Sequence, residues 1–142
     1  VRGESLAEIL DGVGGWAADH PDAEWIYGAG FDLSLVDDGI FEAEWLDDVV
    51  PGRPVVLRGT DYHTRWCNTE ALRRSGITMR TPDPHDGEIV RRLDGSPVGT
   101  LREWGATGPV FAAMPSPSPS AILRLEAGAS GTAPRVTAPP RR

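Results

Sequence analysis

The chain has 142 residues, a hydrophobic content of 39% and a net charge of −7, with a pI near 4.9. That is the length of one ordinary domain, and the acidic balance excludes a nucleic-acid binder, which needs a basic face to neutralise phosphates. No apolar run approaches the roughly 20 residues that span a bilayer, so no membrane partner is expected. The lone Cys67 cannot close an internal disulfide, which fits a reducing, cytoplasmic setting. Residues 1–50 hold thirteen acids and one base, and the remainder eight acids and thirteen bases, all of them Arg. Without Lys, carboxylated-Lys and Schiff-base chemistry are closed to this chain. The first residues lack an initiator Met and the apolar core of a signal peptide, so the chain is expected to begin inside a longer protein.

Ser5 with Glu8 forms a capping-box pattern. Leu6, Ile9, Leu10, Val13, Trp16 and Ala17 recur at helical spacing and predict an amphipathic helix ending near His20-Pro21. Trp16 is read as core and His20 as a solvated helix-end residue. Trp25, Ile26 and Tyr27 predict a strand running into the turn Gly28-Ala29-Gly30, which lacks the third glycine of a dinucleotide loop. Residues 42–49 predict a short helix with Trp45, Leu46 and Val49 inward. Asp47 and Asp48 sit late in it, where the dipole disfavours them, and are expected in solvent or beside an Arg.

Residues 55–57 predict a buried strand between Pro54 and Gly59. A polar loop with Asp61, Tyr62, His63, Trp66 and Asn68 is expected next, then a helix opened by Thr69 and stopped by Gly76. Strand, polar loop and helix in this order present side chains at the carboxyl end of a strand, as α/β enzymes do. Thr81-Pro82-Asp83-Pro84 is a rigid loop, with His85 beyond it read as solvated. Asp94-Gly95 between two extended runs predicts a hairpin. Residues 1–108 are taken as the folded part. Residues 109–142, rich in Pro, Ser, Ala and Arg, are expected to be a disordered tail, with one short helix allowed at 121–127.

A zinc-type catalytic centre needs three or more converging His, Cys or carboxylate ligands. His20, His63 and His85 stand apart, with no His-x-His and no Cys pair. Asp61 and His63, two apart on an extended segment, point to the same side, so the carboxylate could orient the imidazole. The structural alternative is that Asp61 and Asn68 cap the following helix and His63 fills space.

From about residue 7 to 106 the order and spacing of landmarks resemble the YtcJ-like amidohydrolases, of the amidohydrolase family 3 group. The landmarks are Trp25-Ile26-Tyr27-Gly28-Ala29-Gly30-Phe31-Asp32, then Pro51-Gly52-Arg53-Pro54-Val55. The run Asp61-Tyr62-His63-Thr64-Arg65-Trp66-Cys67-Asn68 follows, then Thr81-Pro82-Asp83-Pro84, and last Gly99-Thr100-Leu101-Arg102-Glu103. The resemblance implies an α/β fold, a partial segment of a (β/α)8 barrel with an inserted hairpin. It implies a divalent, zinc-type metal in the full-length family and hydrolysis of C–N bonds in small amide-type, non-peptide substrates. The family's His-x-His pair and later metal ligands have no counterpart here, so the chain is expected to be an inactive fragment on its own. Carried over by position, Asp61, His63, Trp66 and Asn68 are expected to contact substrate and Glu103 to bind metal. The alternative reading is a stand-alone acidic α/β binding module that uses the 61–68 loop.

Overall fold

A computed structural model describes residues 5–116 and 122–125. Helix α1 (Leu6–Asp19) starts where the Ser5 hydroxyl accepts the Glu8 amide at 3.2 Å. Arg53 fastens the helix end by donating to the Ala17 carbonyl in the last turn and to the His20 and Ala23 carbonyls just beyond it. Trp16 is buried, and His20 stacks on it at 3.8 Å between ring centroids. His20 is thus packed against the helix it ends, where a solvated residue was expected.

Strand β1 (Ile26–Phe31) runs through the Gly-Ala-Gly stretch that reads as a turn. Glycine is required there by close approach: a Cβ on Gly28 would stand 2.7 Å from the Leu57 side chain. A 3-10 turn (Leu33–Leu35) and helix α2 (Ala43–Val49) lead to strand β2 (Val55–Gly59). The expected loop is in part a strand, β3 (Thr64–Cys67), which pairs antiparallel with β2 and leaves a tight turn at Thr60–His63. Periodicity could not show this, because Thr-Arg-Trp-Cys alternates between two buried faces and offers no polar face to read. Helix α3 (Thr69–Arg74) follows, then the hairpin of β4 (Glu88–Arg91) and β5 (Pro97–Arg102) with Gly95 at φ 92° in its turn. Helix α4 (Glu103–Ala113) and strand β6 (Ile122–Arg124) complete the described elements.

The six strands form one mixed sheet in the order β4-β5-β3-β2-β1-β6. β1 runs parallel to β2 and β6, and β3 is antiparallel to both β2 and β5. β5 therefore runs in the direction of β1 and β2, and the carboxyl ends of these strands lie along one rim. The hairpin is no separate insertion, since β5 pairs with β3 inside the sheet. Strand alternation divides the core in two. Val55, Leu57, Trp66 and Phe31 face α1 and α2, while Val56, Cys67 and Leu101 face α3 and α4.

The boundary expected near Gly108 falls inside α4, which runs to Ala113. Ile122–Arg124 is a strand where a short helix was allowed. Tyr27 and Gly28 supply the pairing edge that three residues need, a partner no local propensity contains. The rest of the expected tail lies outside the described residues. Among the described residues no helix is long and apolar enough to cross a membrane.

Candidate functional site

The rim at the carboxyl ends of β2 and β5 brings together two residues forty apart in sequence. His63 Nδ1 lies 3.1 Å from Glu103 Oε1, and both side chains are about half exposed, at 53% and 56%. The backbone sets this distance. The Glu103 amide donates to the His63 carbonyl at 2.8 Å, one step beyond the Thr64–Arg102 pair of the β3–β5 ladder. Glu103 follows β5 directly and begins α4, where a carboxylate suits the positive end of the helix dipole.

Among the described residues two that are not glycine have positive φ, and both belong to this rim: Tyr62 at 67° and Glu103 at 68°. Such conformations cost on the order of 1 kcal/mol or more each, and they cluster where side chains are held for a task. The 60–63 turn is held by Asp61, whose carboxylate accepts from the His63 amide, the Thr64 amide and the Thr64 hydroxyl. Burial pushes the Asp61 carboxyl up, but those three bonds outweigh it and hold the group below its ordinary value. Asp61 orients the backbone that carries His63; the ring itself is met by Glu103.

Trp66 and Asn68, expected at the substrate, are both fully buried. The Trp66 indole N–H donates to the Glu42 carbonyl at 2.9 Å, and its ring packs against Phe31, Phe41 and Trp45. Asn68 Oδ1 accepts from the amides of Val55 and Ala71, and Nδ2 donates to the Arg53 carbonyl at 2.7 Å. Asn68 therefore caps α3 and ties it to β2, as the structural alternative held. The strand alternation that turns Trp66 into the core, and the need of the α3 amides for an acceptor, withdraw both residues from the rim. Asp47 adds a second cap by accepting the Thr69 amide at 3.0 Å, which the solvated reading missed.

Tyr62 was expected in the loop but not among the site residues. It is 62% exposed, with the Arg58 guanidinium over its ring at 4.1 Å, beside His63. Trp104, 61% exposed, follows Glu103. Cys67 is buried, and burial pushes its thiol up to about 12, so it carries no thiolate chemistry. Among the described residues no group of three or more His, Cys, Asp or Glu is placed to hold a metal ion. The His63–Glu103 pair supplies two donors, fewer than a catalytic zinc-type centre takes from its protein.

Polar side chains gathered at the carboxyl ends of co-directional strands, with helices on both sheet faces, define the class as an α/β scaffold. The chain belongs to the amidohydrolase family, whose family model matches residues 1–133. It is 34% identical over 103 residues to the N-substituted formamide deformylase of Arthrobacter pascens, covering 72% of this chain and 19% of that protein. It is 34% identical over 82 residues to YtcJ of Bacillus subtilis (strain 168), covering 57% of this chain and 16% of that one. Among solved structures, a metal-dependent hydrolase from Pyrococcus furiosus shares the fold with a TM-score of 0.50 at 21% identity, over 79% of this chain and 20% of that one. The chain thus spans about a fifth of the length of these relatives.

Proposed function

We propose that this chain forms the substrate-side wall of a metal-dependent amidohydrolase that cleaves C–N bonds in small amide-type molecules, formamides among them. The carrying observation is the His63–Glu103 contact at the rim, held by the β3–β5 ladder, with positive φ at Glu103 itself and at Tyr62 beside His63. In this reading the parallel strands β6, β1 and β2 are part of a (β/α)8 barrel, and the outer strand β6 pairs with a strand of a longer protein. An open parallel edge normally finds such a partner. The name of the Arthrobacter pascens relative supports the formamide class.

The donors present here do not complete a metal centre, so the metal and the water it would activate rest on residues of that longer protein. Glu103 is the residue of this chain offered to the metal. His63, held by Glu103 and by the Asp61 turn, faces the substrate. Asp61 acts on substrate through His63 rather than by contact. By itself the chain is inactive.

Two measurements test this reading. The purified 142-residue chain is expected to hold no stoichiometric zinc and to show no hydrolysis of an N-substituted formamide; tight stoichiometric zinc with turnover overturns the claim of incompleteness. Exchanging the 103 aligned residues of the Arthrobacter pascens deformylase for those of this chain is expected to leave an active hydrolase. In that chimera His63→Ala and Glu103→Gln should each lower kcat/KM by about 100-fold or more. A folded chimera whose activity ignores both changes sinks the proposed roles.

The binding-module reading has less to stand on. Of the residues it would use, Trp66 and Asn68 are interior, which leaves a short exposed turn at 61–63.

A further inference from the structure

The sheet face under α4 carries two arginines that no carboxylate among the described residues answers. Arg58 and Arg65 are opposite one another in the β2–β3 ladder, and Arg65 is opposite Leu101 on β5. Directly opposed residues share a face, so both guanidinium groups leave the sheet toward α4. Arg65 is 5% exposed. The Nε atoms of both side chains are buried without a hydrogen-bond partner. Arg65 Nη1 donates to the Tyr62 and Thr64 carbonyls at 3.4 and 3.5 Å, long for such bonds, and the Phe111 ring lies 4.9 Å from its guanidinium carbon. Among the described residues neither arginine enters an ion pair, whereas Arg73, Arg74, Arg91, Arg92 and Arg102 each do.

Two neighbouring cations, one of them desolvated, are costly to keep without an anion. Burial, the largest influence, holds the Arg65 guanidinium below its ordinary value, Arg58 adds to this, and Tyr27 opposes it. Beside the pair opens a cleft of about 320 Å³ lined by Tyr27, Arg58, Phe111, Met114, Ser116 and Ile122. Its size is that of a small-ligand pocket, and four of its six walls are aromatic or aliphatic.

We propose that this cleft binds a small organic carboxylate, its anionic head on the Arg58 guanidinium, with the buried Arg65 behind it adding positive charge, and its apolar body against Tyr27, Phe111, Met114 and Ile122. The planar fork of a guanidinium matches a carboxylate, and the apolar lining gives the rest of such a molecule a place that inorganic phosphate has no use for. The site invokes neither His63 nor Glu103, so it stands or falls separately from the hydrolytic reading.

The test is titration of the full 142-residue chain with benzoate, benzamide and inorganic phosphate, followed by calorimetry and thermal unfolding. Benzoate is expected to bind saturably and raise Tm, with benzamide and phosphate at least tenfold weaker. Arg58→Gln should weaken benzoate at least tenfold. Arg65→Met should abolish the benzoate response while raising the ligand-free Tm by about 5 °C, since an unpaired buried charge is replaced by an apolar chain of similar length. Because that variant is expected to be more stable, its loss of binding does not reduce to misfolding. The proposal is overturned by no saturable benzoate response, by a response unchanged in both variants, or by phosphate binding as tightly as benzoate.

Discussion

The segment from Asp61 to Asn68 has two ends with different duties. At one end, Asp61, Tyr62 and His63 stand exposed at the rim, with His63 held against Glu103 and the backbone strained at Tyr62. At the other end, three to seven residues on, Trp66 and Asn68 are sealed in the interior with their polar atoms satisfied by the backbone. The difference teaches that one run of polar and aromatic residues can build a site and the frame under it. Burial, not residue type, assigns the duty. The frame end should answer to stability measurements and the rim end to activity.

The largest expected effect is at the frame. Trp66→Ala removes a buried indole at the centre of four packed aromatic rings, and a loss of about 4 kcal/mol in unfolding free energy is expected by denaturant titration. A cost near 1 kcal/mol would mean that Trp66 is not core. Asn68→Ala comes next. It strands the amides of Val55 and Ala71 and the Arg53 carbonyl in the interior, at about 3 kcal/mol by the same titration; an unchanged midpoint would break the capping account.

At the rim the effects shrink. Asp61→Ala loses the bonds that hold the turn, and about 1 kcal/mol is expected at pH 7. The Asp61 pKa is lowered in the folded chain, so its contribution is present above the unfolded value, about 3.9, and is lost as pH falls through the folded one. Wild type and Asp61→Ala should therefore converge in Tm below about pH 4, and a gap that widens in acid would reverse the sign argued here. His63→Ala should move the unfolding free energy by less than about 0.5 kcal/mol, as an exposed ion pair does. A larger loss would turn the rim into frame and erase the contrast.

Much of the architecture was legible in the chain because its signals are local. Ser5 and Glu8 at capping-box spacing, Asp94-Gly95 between extended runs, and the apolar stripe of α1 each act within a few residues. Each gave the element found. Strand β3 was not legible: both of its faces are covered, so the alternation that marks a strand is missing. Two further differences come from partners distant in sequence. A glycine pair that reads as a turn was a strand squeezed between neighbours, and a tail that reads as polar linker gave three residues to an existing edge.

Of the candidate site, the residue types came from the sequence and the company they keep came from the fold. Asp61, His63 and Glu103 could be named from pattern and resemblance, because chemistry that needs a carboxylate or an imidazole restricts residue type. That His63 and Glu103 touch, that Trp66 and Asn68 are buried, and that Arg58 stands opposite Arg65 were decided by the tertiary structure. Each depends on the register of β3 between β2 and β5. A one-residue slip in that register would exchange the faces of every side chain on the strand.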